Sequence, residues 1–111
     1  MFGLFAPPIV FRAQTGQTGH LYIDLPGLIP GRERHVVRAL SRMGRVRIRS
    51  KSNDFGHVTV AFVAGFESYS LHGNTNGAYI RGEGGGDEIS QMLTFMRKSG
   101  RFRELGARRK A

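Results

Sequence analysis

The pattern that most restricts the fold is a run of alternating apolar and polar residues between Arg45 and Arg81. Successive side chains of a β-strand point to opposite faces, so such alternation predicts strands with one buried face. Four segments fit this pattern: residues 45–51, 57–64, 66–72 and 78–81. Turn residues separate the segments, among them Asn76-Gly77, the strongest hairpin dipeptide. We therefore predict four consecutive antiparallel strands.

The segments on either side add two strands and two helices. Residues 9–13 and 20–25 are short strand candidates. Residues 32–43 and 88–99 carry apolar side chains at helical spacing, with Asp87 placed to cap the second helix. The predicted order is β-β-α-β-β-β-β-α. This order is typical of an α+β fold with an antiparallel sheet and both helices packed on one face.

The 111-residue chain is long enough to bury a core without metal or disulfide support. We expect one compact domain over residues 1–100 and a basic C-terminal arm over residues 101–111. The chain has no cysteine, which excludes disulfides, thiolate zinc sites and a cysteine nucleophile. Its apolar start is broken by Pro7-Pro8 and lacks a basic leader, so neither a signal peptide nor a membrane helix is predicted. The expected location is cytoplasmic.

Positive charge is concentrated in two stretches of the chain. The formal net charge is +9, from 17 basic and 8 acidic residues. Residues 31–51 carry eight of these bases against one acid, and residues 97–110 carry seven against one acid. Large fields of a single sign add self-repulsion, so this clustering indicates a polyanionic partner, most often a nucleic acid.

We predict that a nucleic acid is bound mainly through its phosphates, with low sequence specificity. Three arginines spaced four residues apart share one face of the first helix, and the bases that alternate along residues 45–51 are expected on one strand face. Phe55 and Tyr79, at turn or edge positions, are expected to stack on bases, and an exposed sheet favours single strands of DNA or RNA. The predicted nucleic-acid-binding residues are Arg34, Arg38, Arg42, Arg45, Arg47, Arg49, Lys51, Phe55, Tyr79, Arg97, Arg101, Arg103, Arg108 and Arg109.

Two other functions remain open at this point. The first is a small interaction protein, either a component of a ribosome-like or viral particle or a phage-type protein that docks on an acidic host protein. A free strand edge would also suit a homodimer. The second is a toxin-like ribonuclease that combines a histidine, a carboxylate and an arginine, with His57 near Asp54 or His72 with Glu67 as the candidate pairs.

We expect no enzymatic activity as the leading interpretation, and no metal or cofactor. The four histidines lack the spacing of metal ligands. Residues 82–87 form a glycine-rich segment before the second helix, but they lack the Lys-Ser/Thr pair of a phosphate-binding loop. No membrane partner is predicted.

Overall fold

The computed structural model describes residues 7–42, 44–84 and 87–106. Within them the chain forms β1 (Ile9–Thr15), β2 (Leu21–Asp24), α1 (Glu33–Ser41), β3 (Val46–Asp54), β4 (His57–Ala64), β5 (Glu67–Asn74), β6 (Gly77–Gly82), α2 (Glu88–Arg97) and β7 (Phe102–Glu104). The predicted α+β class is confirmed, and each predicted helix and strand is present. Met43, from the predicted apolar stripe of the first helix, lies outside the described residues, as does the end of the predicted arm.

The strands of this part of the chain form one sheet in the order β3-β4-β5-β6-β2-β1-β7. Neighbouring strands are antiparallel except β1 and β7, which run parallel. The prediction of a purely antiparallel sheet is therefore wrong at one edge, and the sheet is mixed.

The parallel edge strand β7 comes from the beginning of the predicted C-terminal arm. Phe102 is buried and contacts Phe11 edge-on, with the ring centroids 6.2 Å apart. Backbone hydrogen bonds hold β7 against β1, a pairing that we call the β1–β7 seam. The Ile9 N–H donates to the Arg101 carbonyl, and the Leu105 N–H donates to the Phe11 carbonyl. Burial of one aromatic ring thus places a short, charged segment in the sheet.

The core lies entirely between the helices and one face of the sheet. Buried side chains from the strands are Phe11, Ile23, Val60, Phe62, Tyr69, Leu71, Ala78, Ile80 and Phe102. The helices contribute Val36, Val37, Ala39 and Leu40 from α1, and Ile89, Met92, Leu93 and Met96 from α2. The strand registers place the sheet residues of this cluster on one face, so both helices pack on that face. Neither described helix is long and apolar enough to span a membrane.

Each helix begins with a buried glutamate that packs on a glycine of the sheet. Glu33 of α1 lies against Gly73, and Glu88 of α2 lies against Gly82. The Glu88 carboxylate accepts a hydrogen bond from the Gly84 N–H, and its carbonyl accepts one from the Tyr69 hydroxyl at 2.7 Å. Burial raises the pKa of Tyr69 to about 12, with smaller contributions from Glu67 and Glu88. Asp87 precedes α2 as predicted, but its side chain makes no capping hydrogen bond.

We predict that Gly82→Ala lowers the free energy of unfolding by about 1–3 kcal/mol, the usual cost of overpacking. The new Cβ would overlap the side chain of Glu88, which is buried and hydrogen-bonded. Urea denaturation measures the effect. Gly100→Ala is the matched control because no heavy atom lies within 4 Å of the added Cβ. Equal stability of the two variants would contradict the packing described above.

Candidate nucleic-acid interface

The candidate interface is the face of the sheet opposite the two helices. The registers place six side chains in one line across the strands from β3 to β1, and these are Ser52, Thr59, His72, Tyr79, Asp24 and Arg12. None of the six is buried. We call this surface the open face, because neither helix of the described chain packs on it.

Four rings lie next to one another on the open face and form what we call the ring row. His72 stacks on Tyr79, with centroids 4.9 Å apart and planes inclined by 17°. Tyr22 meets Tyr79 edge-on at 5.8 Å, and His57 meets His72 edge-on at 6.0 Å. The row crosses four neighbouring strands, β4, β5, β6 and β2. Tyr79 and His57 are exposed, and Tyr22 and His72 are half-buried. Aromatic rings at the surface of a sheet are the kind of platform on which unpaired nucleobases stack.

A recess of about 560 Å³ lies at the Tyr22 end of the ring row. The loop between β1 and β2 forms one wall with Gly16, Thr18 and His20, and Arg81 and Tyr79 form part of another. Glu83 and Glu88 also line it. The volume falls within the range of small-molecule sites and is sufficient for a single nucleobase.

Four arginines lie on the open face together with the ring row. Arg81 is exposed and pairs in register with Ser70, beside His72. Arg47 on β3 and Arg103 on β7 are exposed at the two edges of the same face. Arg12 differs from these three because it forms an ion pair with Asp24 at 2.8 Å. Its Nε is buried and has no hydrogen-bond partner within the described part of the chain.

A β-bulge at Arg49 divides the basic residues of β3 between the two faces of the sheet. Ile48 pairs with Phe62 and Ser50 pairs with Ala61, which leaves Arg49 without a cross-strand partner. After Arg49, each side chain of β3 therefore lies on the face opposite to the one that uninterrupted alternation would give it. Arg47 lies on the open face, whereas Lys51 pairs with Val60 and lies on the helix side. The prediction that these bases share one strand face is wrong, since a bulge inserts one residue and reverses which face the following side chains occupy.

Lys51 joins two predicted arginines of α1 in a second basic surface. A groove of about 670 Å³ lies between α1 and the β3–β4 hairpin. Arg34, Arg38 and Lys51 line it together with the apolar residues Val37, Ile48, Val58 and Val60. Ile48 is 46% exposed, which is high for an isoleucine on the core side of a sheet. Arg42 follows the last residue of α1 and is exposed, as is Arg45 before β3.

The second basic cluster is partly engaged in holding the fold together. Arg97 donates two hydrogen bonds of 2.7 Å to the Glu104 carboxylate and so ties α2 to β7. This pairing raises the pKa of Arg97 and lowers the pKa of Glu104. Arg101 and Arg103 are exposed beside this ion pair. Arg108 and Arg109 lie outside the described residues.

The two aromatic residues singled out from the sequence differ in their surroundings. Tyr79 is at the centre of the ring row. Phe55 is fully exposed at the tip of the β3–β4 hairpin and has a φ of +52°, a left-handed conformation that is rare for a bulky residue. Phe55 is two residues before His57 in the chain, so it lies near the His57 end of the ring row. Phe66 is also fully exposed, in the turn between β4 and β5.

Of the two histidine–carboxylate pairs in the ribonuclease hypothesis, the structure brings only one together. His57 pairs with Asp54 across the hairpin, so these two residues are neighbours. Glu67 instead pairs with Ala64 on the helix side of the sheet, on the face opposite His72. The structure brings together His57 and His72, a pair that the charge and motif patterns do not predict. Among the described residues, no three His, Cys, Asp or Glu side chains are grouped to hold a metal ion.

Arg12 and Arg81 are residues of the open face that the charge pattern missed, because each is an isolated base outside the two clusters. Strand periodicity contained the signal. Tyr79 and Arg81 alternate with buried Ile80, and Arg12 directly follows buried Phe11. Comparison with models of protein families, with curated proteins and with solved structures finds no match to this chain.

Protonation of His72 is predicted to destabilise the fold. Partial burial lowers its pKa from the ordinary value of 6.5, Arg81 and His57 lower it further, and Glu83 opposes them. The unfolded chain therefore binds a proton more tightly at this position than the folded chain does. This contribution to stability is present above pH 6.5 and is lost as the pH falls through the lower folded-state pKa.

We expect the free energy of unfolding to fall between pH 7 and pH 5 by less in His72→Gln than in the unchanged protein. Urea denaturation at several pH values measures this slope. His35→Gln, at an exposed position of α1, is the matched control and should retain the original slope. Identical slopes in the two variants would show that His72 is not responsible.

Proposed function

We propose that this protein binds single-stranded nucleic acid along the open face of its sheet. The observation that carries the proposal is the ring row, in which Tyr22, Tyr79, His72 and His57 lie side by side on an uncovered sheet. Stacking on such rings tolerates any base, because every base has a π-face. Binding of this kind has low sequence specificity and needs no recognition helix.

The arginines of the open face supply the phosphate contacts in this proposal. Arg47 and Arg103 lie on the two edge strands, which are ~29 Å apart across the sheet at ~4.8 Å per strand, and Arg81 lies between them. A strand that runs from Arg47 to Arg103 passes Arg81 and crosses the ring row near Tyr79. Release of counterions from the phosphates then makes binding strongly dependent on salt.

A charge-matched pair of triple variants tests which surface binds. Arg47/Arg81/Arg103→Ala removes three charges from the open face, and Arg34/Arg38/Lys51→Ala removes three from the groove. Both variants have the same net charge, so long-range attraction falls equally. We expect only the open-face variant to lose at least about tenfold in affinity and about 2 in the log–log salt slope, at ~0.7 per phosphate contact. Fluorescence anisotropy with short single- and double-stranded DNA and RNA measures both quantities.

An equal loss in the two triple variants would show that net charge alone drives binding and would refute the assignment of the interface. A loss confined to the groove variant would move the interface to α1 and β3.

Stacking is tested separately by Tyr79→Ala. We expect it to cost about 1–3 kcal/mol of binding free energy, as observed for loss of a base–aromatic stack, with little change in the salt slope. Phe66→Ala is the control, since Phe66 is an exposed aromatic residue at a turn away from the ring row. Anisotropy at a single salt concentration is sufficient. If Phe66→Ala weakens binding as much as Tyr79→Ala does, the ring row has no special role.

A second candidate function follows from the groove between α1 and the β3–β4 hairpin. Its basic side chains surround an apolar floor, which suits an acidic protein segment that inserts one apolar side chain. Such a complex would survive nuclease treatment and would be lost in Arg34/Arg38/Lys51→Ala. The same variant that serves as the control for nucleic-acid binding therefore serves as the test of this partner.

A further inference from the structure

His57 and His72 form a pair of imidazoles on the open face that base stacking alone does not require. They come from neighbouring strands, and their ring centroids are 6.0 Å apart with planes inclined by 72°. His57 is exposed, whereas His72 is half-buried. Arg81 lies on β6, diagonally across from His72, so two proton-transfer groups and one fixed cation share the face proposed to bind a phosphodiester chain.

The surroundings of the two rings differ, and the difference suits two roles. The Nε2 of His72 lies 2.9 Å from the Ser70 Oγ, and the ring stacks on Tyr79, so its orientation is fixed. Burial, Arg81 and His57 lower the pKa of His72 against the opposing effect of Glu83, which favours the neutral ring that accepts a proton. His57 faces solvent beside Asp54 at the hairpin end.

Ser70 is not a nucleophile in this arrangement. It is 2% exposed, so a substrate has no access to its hydroxyl, and its contact with His72 serves to position the ring.

We infer that the open face cleaves RNA, with His72 as the general base, His57 as the general acid and Arg81 as the group that binds the reacting phosphate. The inference rests on the proposed function, because the substrate must first lie across the ring row. It also names the substrate class, since the reaction needs the ribose 2′-hydroxyl that DNA lacks.

The step balances without a metal or a co-reactant. Neutral His72 takes the proton of the 2′-hydroxyl at Nδ1, because its Nε2 contacts the buried Ser70 hydroxyl. The 2′-oxygen then forms a bond to the adjacent phosphorus. The bond between phosphorus and the 5′-oxygen breaks, and that oxygen takes a proton from the imidazolium of His57. The products are a 2′,3′-cyclic phosphate and a free 5′-hydroxyl. Arg81 stabilises the extra negative charge that develops on the phosphoryl oxygens.

The test uses the full chain, with EDTA present, and a labelled oligodeoxynucleotide that contains one ribonucleotide. We expect cleavage only on the 3′ side of that ribose, with a cyclic phosphate on the product. His57→Gln and His72→Gln should each lower kcat/KM by at least about 100-fold, within the usual range for loss of a general acid or base. His35→Gln, purified in parallel, should leave it unchanged.

The pH profile separates catalysis from a structural effect. The unchanged protein should give a bell-shaped profile, because the base must be neutral and the acid protonated. His72→Gln should lose the low-pH limb and His57→Gln the high-pH limb. Since His57 is exposed, its variant keeps the test valid even if His72→Gln fails to fold.

An oligonucleotide of the same sequence with a 2′-O-methyl group at the ribose can be bound but not cleaved. Binding to it therefore distinguishes the proposed nucleic-acid binding from the inferred cleavage. Tight binding without cleavage of the ribose-containing oligonucleotide would overturn the catalytic inference and leave the proposed function intact. Cleavage that persists in the His57/His72 double variant would also overturn it, because the activity would then come from elsewhere. Absence of binding would refute both.

Discussion

The structure depends on the confinement of its buried apolar surface to one face of a seven-stranded sheet. Two helices, of nine and ten residues, are enough to cover that face, and each is anchored by a glutamate seated on a sheet glycine. Buried and more exposed side chains alternate along most of the strands, so the opposite face carries little apolar surface that must be buried. The rings of the ring row therefore lie at the surface, where their contacts with one another fix their positions. The open face is thus a consequence of how the core is built, and the tyrosines and histidines there are available for a ligand.

One inserted residue determines how the positive charge is distributed. Without the bulge at Arg49, Lys51 would lie on the same face as Arg47, and all the bases of β3 would form a single stripe. With the bulge, Lys51 faces α1 and joins Arg34 and Arg38 along the groove, while Arg47 stays with the ring row. The chain therefore presents two basic surfaces of different character. One combines cations with rings, and the other combines cations with aliphatic side chains.

Much of the fold can be predicted from the sequence because its elements are local. The hairpins of residues 45–81 follow from alternation and turn residues, and the helices follow from apolar spacing. The strand at Phe102 cannot be predicted in this way, since it depends on a ring contact with Phe11 from the far end of the chain. The bulge has no signal in the composition of β3, where Arg49 continues the alternation without interruption. Tyr79 was predicted as a site residue from its position, but its neighbours Tyr22 and His72 come together only through the register of separate strands.

The parallel seam between β1 and β7 has a consequence for the folding of the protein. The meander from β3 to β6 joins neighbours in sequence, so its loops close at small entropic cost. The β1–β7 seam joins residues near the opposite ends of the described chain and must bring them together against a much larger loss of conformational entropy. We therefore expect the meander to form early and the seam to close late. Until it does, the outer edge of β1 is an unpaired strand, and association with other chains competes with folding at that stage.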